Sequence, residues 1–130
     1  MKKFFILTAL LALFSLTSCE KAPLKAIVGT WEAETLEISY EGMNLSFELE
    51  EMGAAFIATF NKNGTGSFIT EEEGYVESEN FTYTVTDDTL YLTEYDETTA
   101  IPYEINGKTL TLFLVDYDDE GIAKLHLVKK

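Results

Sequence analysis

The sequence predicts an all-β fold, in which a single antiparallel up-and-down meander of eight or nine strands closes into a small barrel. From Gly29 onward, apolar and polar residues alternate with a period of two, and no stretch of ten residues shows a convincing apolar period of 3.6. Turn residues interrupt this alternation at short intervals, and one strand–turn–strand pattern occurs twice. Strands joined by short turns pair with their sequence neighbours, and closing such a sheet removes its unpaired edges.

The chain begins with a segment that has the pattern of a signal peptide. Lys2 and Lys3 make its start positive, and residues 4–16 form an apolar stretch that only Thr8 and Ser15 interrupt. These 13 residues are fewer than the roughly 20 that a helix needs to span a bilayer. We therefore expect a cleaved leader rather than a membrane-spanning helix.

Residues 16–19 (LTSC) resemble the bacterial lipobox, in which the signal peptidase cuts before a cysteine that carries a diacylglyceryl group. Cys19 is the only cysteine, so its lipidation leaves no thiol for a disulfide, a metal or a nucleophile. Two or three acyl chains anchor a protein stably, at about 0.8 kcal/mol per buried CH₂. We predict a lipoprotein signal peptide at residues 1–18 and a protein anchored in the cell envelope, at the outer membrane. Residues 19–26 form a polar tether in which Pro23 disfavours helix.

The rest of the chain is one domain, at residues 27–130, with a strongly acidic charge. Without the leader, the chain has 7 lysines, no arginine and 23 acidic residues, a formal charge of −16. Such a charge repels nucleic acid and anionic lipid surfaces, and it would speed encounter with a basic protein. We therefore expect no nucleic-acid partner and no peripheral membrane patch, although solubility alone also explains the charge.

The first strand starts at Gly29 and contains Trp31, the only tryptophan. Glycine has no Cβ, so a neighbouring segment or the indole ring can approach the backbone closely there. A tryptophan at this point would plug one end of the barrel. Further along the strand the apolar positions change phase to Leu36 and Ile38, which predicts a bulge or bend at residues 34–36.

The next strands follow from short turn signals. A turn at residues 41–42 leads into the most regular predicted strand, and residues 56–60 and 66–70 form a second hairpin. Residues 51–55 are ambiguous and could form one helical turn. Residues 71–80 are charged and rich in turn formers, which predicts an exposed loop with at most a short edge strand at its centre. The regular strand is expected to point one apolar row inward: Met43, Leu45, Phe47 and Leu49.

One pattern then occurs twice, twenty residues apart: residues 83–92 align with residues 103–112, and both copies read as strand, tight turn, strand. In the second copy, residues 106–107 (NG) are the strongest hairpin signal of the sequence, because a type I′ turn needs positive φ at both central positions. A last hairpin is expected to join residues 110–114 to residues 123–127.

The residues offer little for catalysis. There is one histidine, His126, on the outward phase between Leu125 and Leu127, and there is no G-x-S-x-G motif. Carboxylate pairs are not informative in a chain with 23 acids. Residues 116–121 (DYDDEG) resemble the opening of a calcium loop, but Leu127 stands where the pattern requires glutamate, so a hairpin loop is favoured. We predict no enzymatic activity, no metal site and no cofactor.

The Gly29-Thr30-Trp31 sequence at the head of the first strand resembles the lipocalin signature, and the chain resembles the small lipocalin-like domains of bacterial lipoproteins. Lipocalins usually pack an arginine from the last strand across that tryptophan; since this chain has none, Lys124 or Lys129 would have to replace it. The resemblance implies that the barrel interior binds a small apolar or amphipathic ligand. The candidate interior residues are Trp31, Phe47, Phe60, Phe68, Tyr83 and Tyr103.

The same aromatic residues could instead form a solid core, because an eight-stranded barrel is either filled by side chains or holds one small ligand. In that case the domain would be an acidic module that binds a protein or glycan, for example as an inhibitor or accessory subunit. Its binding surface would then lie on the acidic, tyrosine-bearing loops at residues 71–80 and 94–99.

Overall fold

The structure, a computed structural model, describes residues 22–115 and 121–130, which form one short helix and nine antiparallel strands. The predicted signal peptide, Cys19 and residues 116–120 of the calcium-like loop lie outside the described residues. The all-β prediction is confirmed. The elements are α1 (Ala22–Ile27), β1 (Gly29–Tyr40), β2 (Met43–Glu48), β3 (Ala54–Phe60), β4 (Thr65–Glu72), β5 (Tyr75–Val85), β6 (Thr89–Glu94), β7 (Glu97–Asn106), β8 (Thr109–Val115) and β9 (Gly121–Lys129).

Eight of these strands close into a barrel, and β2 lies outside it. The barrel order is β1-β3-β4-β5-β6-β7-β8-β9, and β9 pairs with β1 to complete the ring. One edge of β1 is divided between two partners: residues 29–32 pair with β3, and residues 35–40 pair with β2. The register of β1 against β9 shifts between Ala33 and Thr35, which confirms the predicted bulge. β2 therefore branches away from the barrel wall where the bulge lies.

The two ends of the barrel differ in what they contain. We call the base the end where β1 begins; it holds α1, the C-terminus and the turns at residues 61–64, 86–88 and 107–108. We call the mouth the opposite end; it holds the turns at residues 41–42, 73–74 and 95–96, whereas residues 49–53 turn beside Glu34, halfway along β1.

The base is packed solid and closed by α1. Ile27 and Trp31 are completely buried, and the indole Nε1 donates a 2.8 Å hydrogen bond to the carbonyl of Ile27. Leu24 packs against the same core. The expectation that Pro23 keeps residues 22–26 out of a helix is wrong, because proline is tolerated in the first turn, where its missing N–H has no intrahelical partner to lose.

A group of packed aromatic rings fills the barrel between base and mouth. The ring of Phe81 lies 4.4 Å from Phe68 and 5.6 Å from Phe60, measured between centroids. Phe81 also pairs with Gly66 on β4. A Cβ at Gly66 would lie 2.5 Å from the carbonyl oxygen of Thr59 and overlap the Phe81 ring, so only glycine leaves room for this packing.

The sequence pattern that occurs twice, at residues 83–92 and 103–112, forms two similar hairpins at the base. Tyr83 pairs with Leu92 and Tyr103 pairs with Leu112, so each copy forms a base hairpin. Each tyrosine hydroxyl donates to a backbone carbonyl of the preceding base turn: Tyr83 to Asn61 at 2.6 Å, and Tyr103 to Thr86 at 2.5 Å. Burial raises the pKa of both tyrosines. The two hydroxyls thus tie successive base turns together.

Two hairpin predictions need correction. In the β7–β8 turn, Asn106 pairs with Thr109, so the central residues are Gly107 and Lys108, and only Gly107 has positive φ. This register keeps Leu110 and Leu112 buried, and a shift by one residue would turn both outward, so burial overrides the local preference of Asn-Gly. Residues 71–80 are not a loop: β4 and β5 continue through them as a long exposed hairpin that turns at residues 73–74.

Candidate functional site

The inner face of the barrel changes from apolar to acidic towards the mouth. Alternate residues of a strand share one face, so the inward row of β5 runs from the buried Tyr83 and Phe81 to the exposed Glu79 and Glu77. The inward row of β6 runs in the same direction from Leu92 to Glu94. Beyond the aromatic rings, this wall of the mouth is therefore lined with carboxylates.

The opposite wall of the mouth is apolar. β1 stands halfway round the ring from β6, and β2 pairs with β1 and extends this wall. Cross-strand partners share one face of a sheet. We call this wall the ledge; it consists of Leu36, Ile38, Tyr40, Met43, Leu45 and Phe47.

The predicted inward row of β2 therefore lies on the inner side of the sheet, but the expectation that it belongs to the core is wrong. Met43, Leu45 and Phe47 are exposed, because β2 stands beyond the closed ring and has no facing strand to cover it. Only Leu49, at the foot of β2, is buried.

Two cavities open at the mouth and its side. One of about 310 Å³ lies on the inner side of β6 and β7, where Leu92, Ile101 and Thr99 meet Glu94 and Glu97. A lateral cleft of about 550 Å³ opens where β2 and β3 diverge from β1, with a floor of small residues and a rim of glutamates. The residues of the cleft are Glu32, Ala33, Glu34, Glu48, Glu50, Ala54 and Ala55.

Two further cavities lie elsewhere. A polar groove of about 680 Å³ runs along the outside of β4, β5 and β6, past Ser67, Asn80 and Thr82. A pocket of about 410 Å³ at the base is lined by Leu24, Val28 and two lysines.

The acidic wall contains a pair of interacting carboxyl groups. Partial burial raises the pKa of Glu94, and the negative charge of Glu79 and a hydrogen bond between the two side chains raise it further. Two carboxylates held together favour either a shared proton or a positive charge beside them. A cationic group in the mouth would therefore relieve this repulsion.

The structure places the predicted interior residues in different surroundings. Trp31, Phe60, Tyr83 and Tyr103 lie in the base core with at most 5% of their surface exposed. Phe68 is partly buried beneath the mouth, and Phe47 lies on the ledge. None of the six lines any of the four cavities above, and their role in ligand binding stays a prediction.

Sequence reasoning included Glu79, Glu94 and Glu97 only in the acidic loops 71–80 and 94–99 of the alternative hypothesis, and it missed their position on the inner face of the barrel, although a signal for that position exists. Each continues, at a spacing of two, an inward row that also contains apolar residues. A glutamate in such a row predicts that the interior reaches water at that level.

Gly29, Trp31 and Lys129 form one unit at the base. Gly29 has a φ of 137°, and a Cβ there would meet the Lys129 side chain at 2.9 Å. The ammonium of Lys129 continues over the indole, 5.4 Å from the ring centroid, within the range of a cation–π interaction. The prediction that a lysine covers the tryptophan is confirmed for Lys129, whereas Lys124 lies over Phe113.

A comparison with protein families gives the identity of this barrel. The family model described as a lipocalin-like domain matches residues 27–112, about two thirds of the chain. The chain belongs to the lipocalin-like domain family. Domains of this family are in general non-catalytic binding domains. The matched range contains the Gly29-Thr30-Trp31 sequence, and β9, which closes the ring, lies beyond it. No curated protein matches the sequence at a significant level.

His126 lies on the outer face of this lipocalin-like barrel, as its phase predicts, but it is half-buried rather than exposed. Its Nδ1 is 3.2 Å from Oγ1 of Thr111, and its Nε2 is 3.2 Å from a carboxylate oxygen of Glu37. None of the four cavities includes any of these three residues. None of the four described cavities therefore lies beside these three side chains, where a substrate would have to bind.

Residues 22–115 and 121–130 lack two further features. No helix there is long and apolar enough to cross a membrane. In the same residues, no three or more histidine, cysteine, aspartate or glutamate side chains are grouped so that they could hold a metal ion.

Proposed function

We propose that this protein is a cell-envelope lipoprotein, anchored through Cys19, whose lipocalin-like domain binds a small amphipathic molecule without catalysis. The observation that carries the proposal is the pair of unlike walls at the mouth. The apolar ledge on β1 and β2 stands across the ring from the carboxylates of β5, β6 and β7. A molecule with one apolar and one polar part can satisfy both walls at once.

The packing of the barrel limits where such a ligand binds. The base is filled by Trp31, Phe60 and their neighbours, so the ligand is held at the mouth. The cavity beside Leu92 and Ile101, at about 310 Å³, is at the lower end of the range for small-molecule sites.

The charge of the mouth determines which polar part fits. Glu79 and Glu94 already repel each other, and Glu97 lies beside them. A carboxylate or sulfate headgroup would add a further negative charge at short range, whereas an ammonium group would be attracted. We expect amphiphiles with a cationic headgroup to bind and fatty-acid anions to be excluded.

The test uses two amphiphiles of equal chain length, dodecyltrimethylammonium and dodecanoate, titrated calorimetrically into the full chain below micelle-forming concentrations. Dodecyltrimethylammonium should bind at least tenfold more tightly. The double variant Glu79→Gln/Glu94→Gln should lose most of that preference, because it removes the charges that discriminate between the headgroups. Equal binding of both amphiphiles, or binding of neither, would overturn the proposal.

A matched pair of variants tests the ledge. Phe47 on the ledge is 37% exposed, and Ile69 on the outer face of β4 is 39% exposed. Phe47→Ser should weaken binding of the cationic amphiphile about tenfold, through loss of apolar contact. Ile69→Ser should leave the affinity unchanged. Equal effects of the two substitutions would show that the ligand does not use the ledge.

One observation favours a second candidate, an acidic module that binds a basic protein. Tyr95 is 94% exposed at the tip of the β6–β7 turn, and both Tyr95 and Asp96 have positive φ, which is costly for residues other than glycine. A protein complex held by the acidic turns should weaken steeply with salt and should not require Phe47, whereas binding of the amphiphile requires the ledge. Calorimetry of the full chain with a basic protein at low and high salt separates the two.

A further inference from the structure

The charges of the described chain are divided between the two ends of the barrel. The base carries five of the six described lysines: Lys25, Lys62, Lys108, Lys129 and Lys130. The described turns of the mouth, at residues 41–42, 73–74 and 95–96, carry no lysine and one acid each: Glu41, Glu73 and Asp96. The sixth lysine, Lys124, lies on β9 between the two ends. The molecule is therefore strongly polarised along the barrel axis, although its total charge is negative.

Three of the base lysines have no acidic partner among the described residues. Lys130 pairs with Glu32, and Lys129 lies over Trp31. Lys25, Lys62 and Lys108 form no ion pair within the described parts of the chain. Lys25 and Lys62 line the base pocket of about 410 Å³ together with Leu24 and Val28. Two lysines at this pocket present positive charge to whatever contacts the base.

Two acids of the base, Asp87 and Asp88, lie away from Lys25 and Lys62, because they occupy the β5–β6 turn and β6 stands halfway round the ring from β1. Their charges act on Tyr103 of β7, the strand that leads to Lys108. Asp88 also accepts hydrogen bonds from the hydroxyls of Thr86 and Thr89. The side of the base formed by α1, the β3–β4 loop, the β7–β8 turn and the C-terminus is therefore a continuous basic surface, which we call the basic foot.

The chain enters the domain at this same end. α1 begins at Ala22, so the segment that carries Cys19 joins the domain at the base. Three residues of chain span at most about 10 Å, so an acyl group on Cys19 would hold the basic foot close to a bilayer. This step rests on the anchoring that forms part of the proposed function.

We propose that the basic foot docks on anionic phospholipid headgroups, so that the barrel stands on the membrane with its mouth directed away from it. The overall negative charge predicts repulsion from such a surface. However, the strands that separate the two ends are about 20 to 30 Å long, and the screening length at physiological salt is only about 8 Å. A membrane in contact with the foot therefore interacts chiefly with the lysines. Each lysine near an anionic surface increases binding roughly fivefold.

The experiment uses the full-length, lipidated protein in vesicles of phosphatidylcholine, with or without phosphatidylglycerol. Exposed lysines are labelled with a membrane-impermeant acylating reagent and quantified by peptide mass spectrometry. With phosphatidylglycerol present, labelling of Lys25, Lys62 and Lys108 should fall at least threefold at low salt and recover at high salt. Lys124, on the barrel side, is the internal control and should be labelled equally in both vesicles. Equal labelling of all four lysines in both vesicles would overturn the proposal.

A second measurement separates docking from anchoring. Flotation of the lipidated protein with pure phosphatidylcholine vesicles tests the anchor alone, since these vesicles have no net charge. The Cys19→Ser variant of the predicted mature chain, residues 19–130, should not float with them, but should show salt-sensitive association with phosphatidylglycerol vesicles. Adding Lys25→Gln, Lys62→Gln and Lys108→Gln should abolish that association, whereas adding Glu41→Gln, Glu73→Gln and Asp96→Asn at the mouth should not. Association that survives the lysine substitutions would refute the basic foot, whatever the flotation shows about Cys19.

Discussion

The base and the mouth of the barrel are built from the same strands but have opposite properties. On β5, Tyr83 and Phe81 are buried and packed against other rings, whereas Glu79 and Glu77, on the same inward row, are exposed. On β1, Trp31 is completely buried at one end, and Ile38 lies on the open ledge at the other. The packed base should therefore determine the stability of the barrel, and the mouth should determine its binding. Substitutions at the base should change mainly the free energy of unfolding, and those at the mouth mainly the affinity for a ligand.

The largest expected contrast comes from the same substitution at the two ends. Leu110 at the base is completely buried, whereas Leu45 on the ledge is 48% exposed. Leu110→Ala should lower the free energy of unfolding by about 2 to 5 kcal/mol, because it leaves a cavity in a packed core. Leu45→Ala should cost less than about 1 kcal/mol. Urea denaturation of both variants measures the difference, and similar losses would show that the ledge is part of the core.

Adding one carbon to the base should also be costly. In Gly66→Ala the new Cβ would overlap the Phe81 ring and the carbonyl oxygen of Thr59, so the stability should fall by about 1 to 3 kcal/mol. Gly121→Ala is the matched control, because the nearest atom to a Cβ there is 3.5 Å away. The urea concentration at which half of each variant is unfolded checks the prediction. Equal concentrations for Gly66→Ala and Gly121→Ala would contradict it.

Removal of one hydroxyl at the base should have a smaller effect. Tyr103→Phe deletes the donor to the Thr86 carbonyl, at a cost of about 1 kcal/mol. Tyr95→Phe at the mouth removes a hydroxyl from a side chain that is almost wholly in solvent, so the stability should not change. Thermal unfolding followed by circular dichroism distinguishes these outcomes. An equal loss for both tyrosines would argue against the hydrogen bonds between base turns as a source of stability.

The smallest effect should be a pH dependence that originates at the mouth. Burial, together with Glu79, raises the folded pKa of Glu94 above its ordinary value of 4.5, so the folded state binds this proton more tightly than the unfolded state. The group therefore favours folding at low pH, and this contribution is lost as the pH rises from about 4.5 through the folded pKa.

Glu94→Gln should remove that decline. The free energy of unfolding of the variant, minus that of the natural chain, should therefore rise with pH across this window. Urea denaturation at several pH values measures the difference. A carboxyl NMR titration of Glu94 in Glu79→Gln gives the matched control, since its pKa should move back towards 4.5. Parallel stability profiles of the two chains would contradict this assignment.

Much of the barrel could be predicted because its signals are local. The period of two predicted the strands, and the phase change before Leu36 predicted the bulge at Glu34. The repeat predicted the two base hairpins, and Trp31 predicted a plugged end. The path of β2 could not be predicted, because alternation shows that Leu45 and Phe47 share a face but not whether another strand covers that face.

The candidate site was predicted less well, for a physical reason. Sequence shows that Phe60 and Tyr83 point inward, but how far the barrel is filled depends on α1 and on rings brought together from different strands. Residues 71–80 carry glutamate on both faces, so their strands have no apolar alternation to detect. The charge division between the ends becomes visible only once each turn has been assigned to the base or the mouth.

The branching of β2 has a consequence for motion. Because β2 pairs only with β1, it can detach by breaking a single ladder, while the ring of eight strands keeps every one of its own pairings. Its amide protons should therefore exchange with solvent earlier than those of β9, which has paired strands on both sides. Early exchange of these protons would identify β2 as a movable strand beside the opening of the barrel.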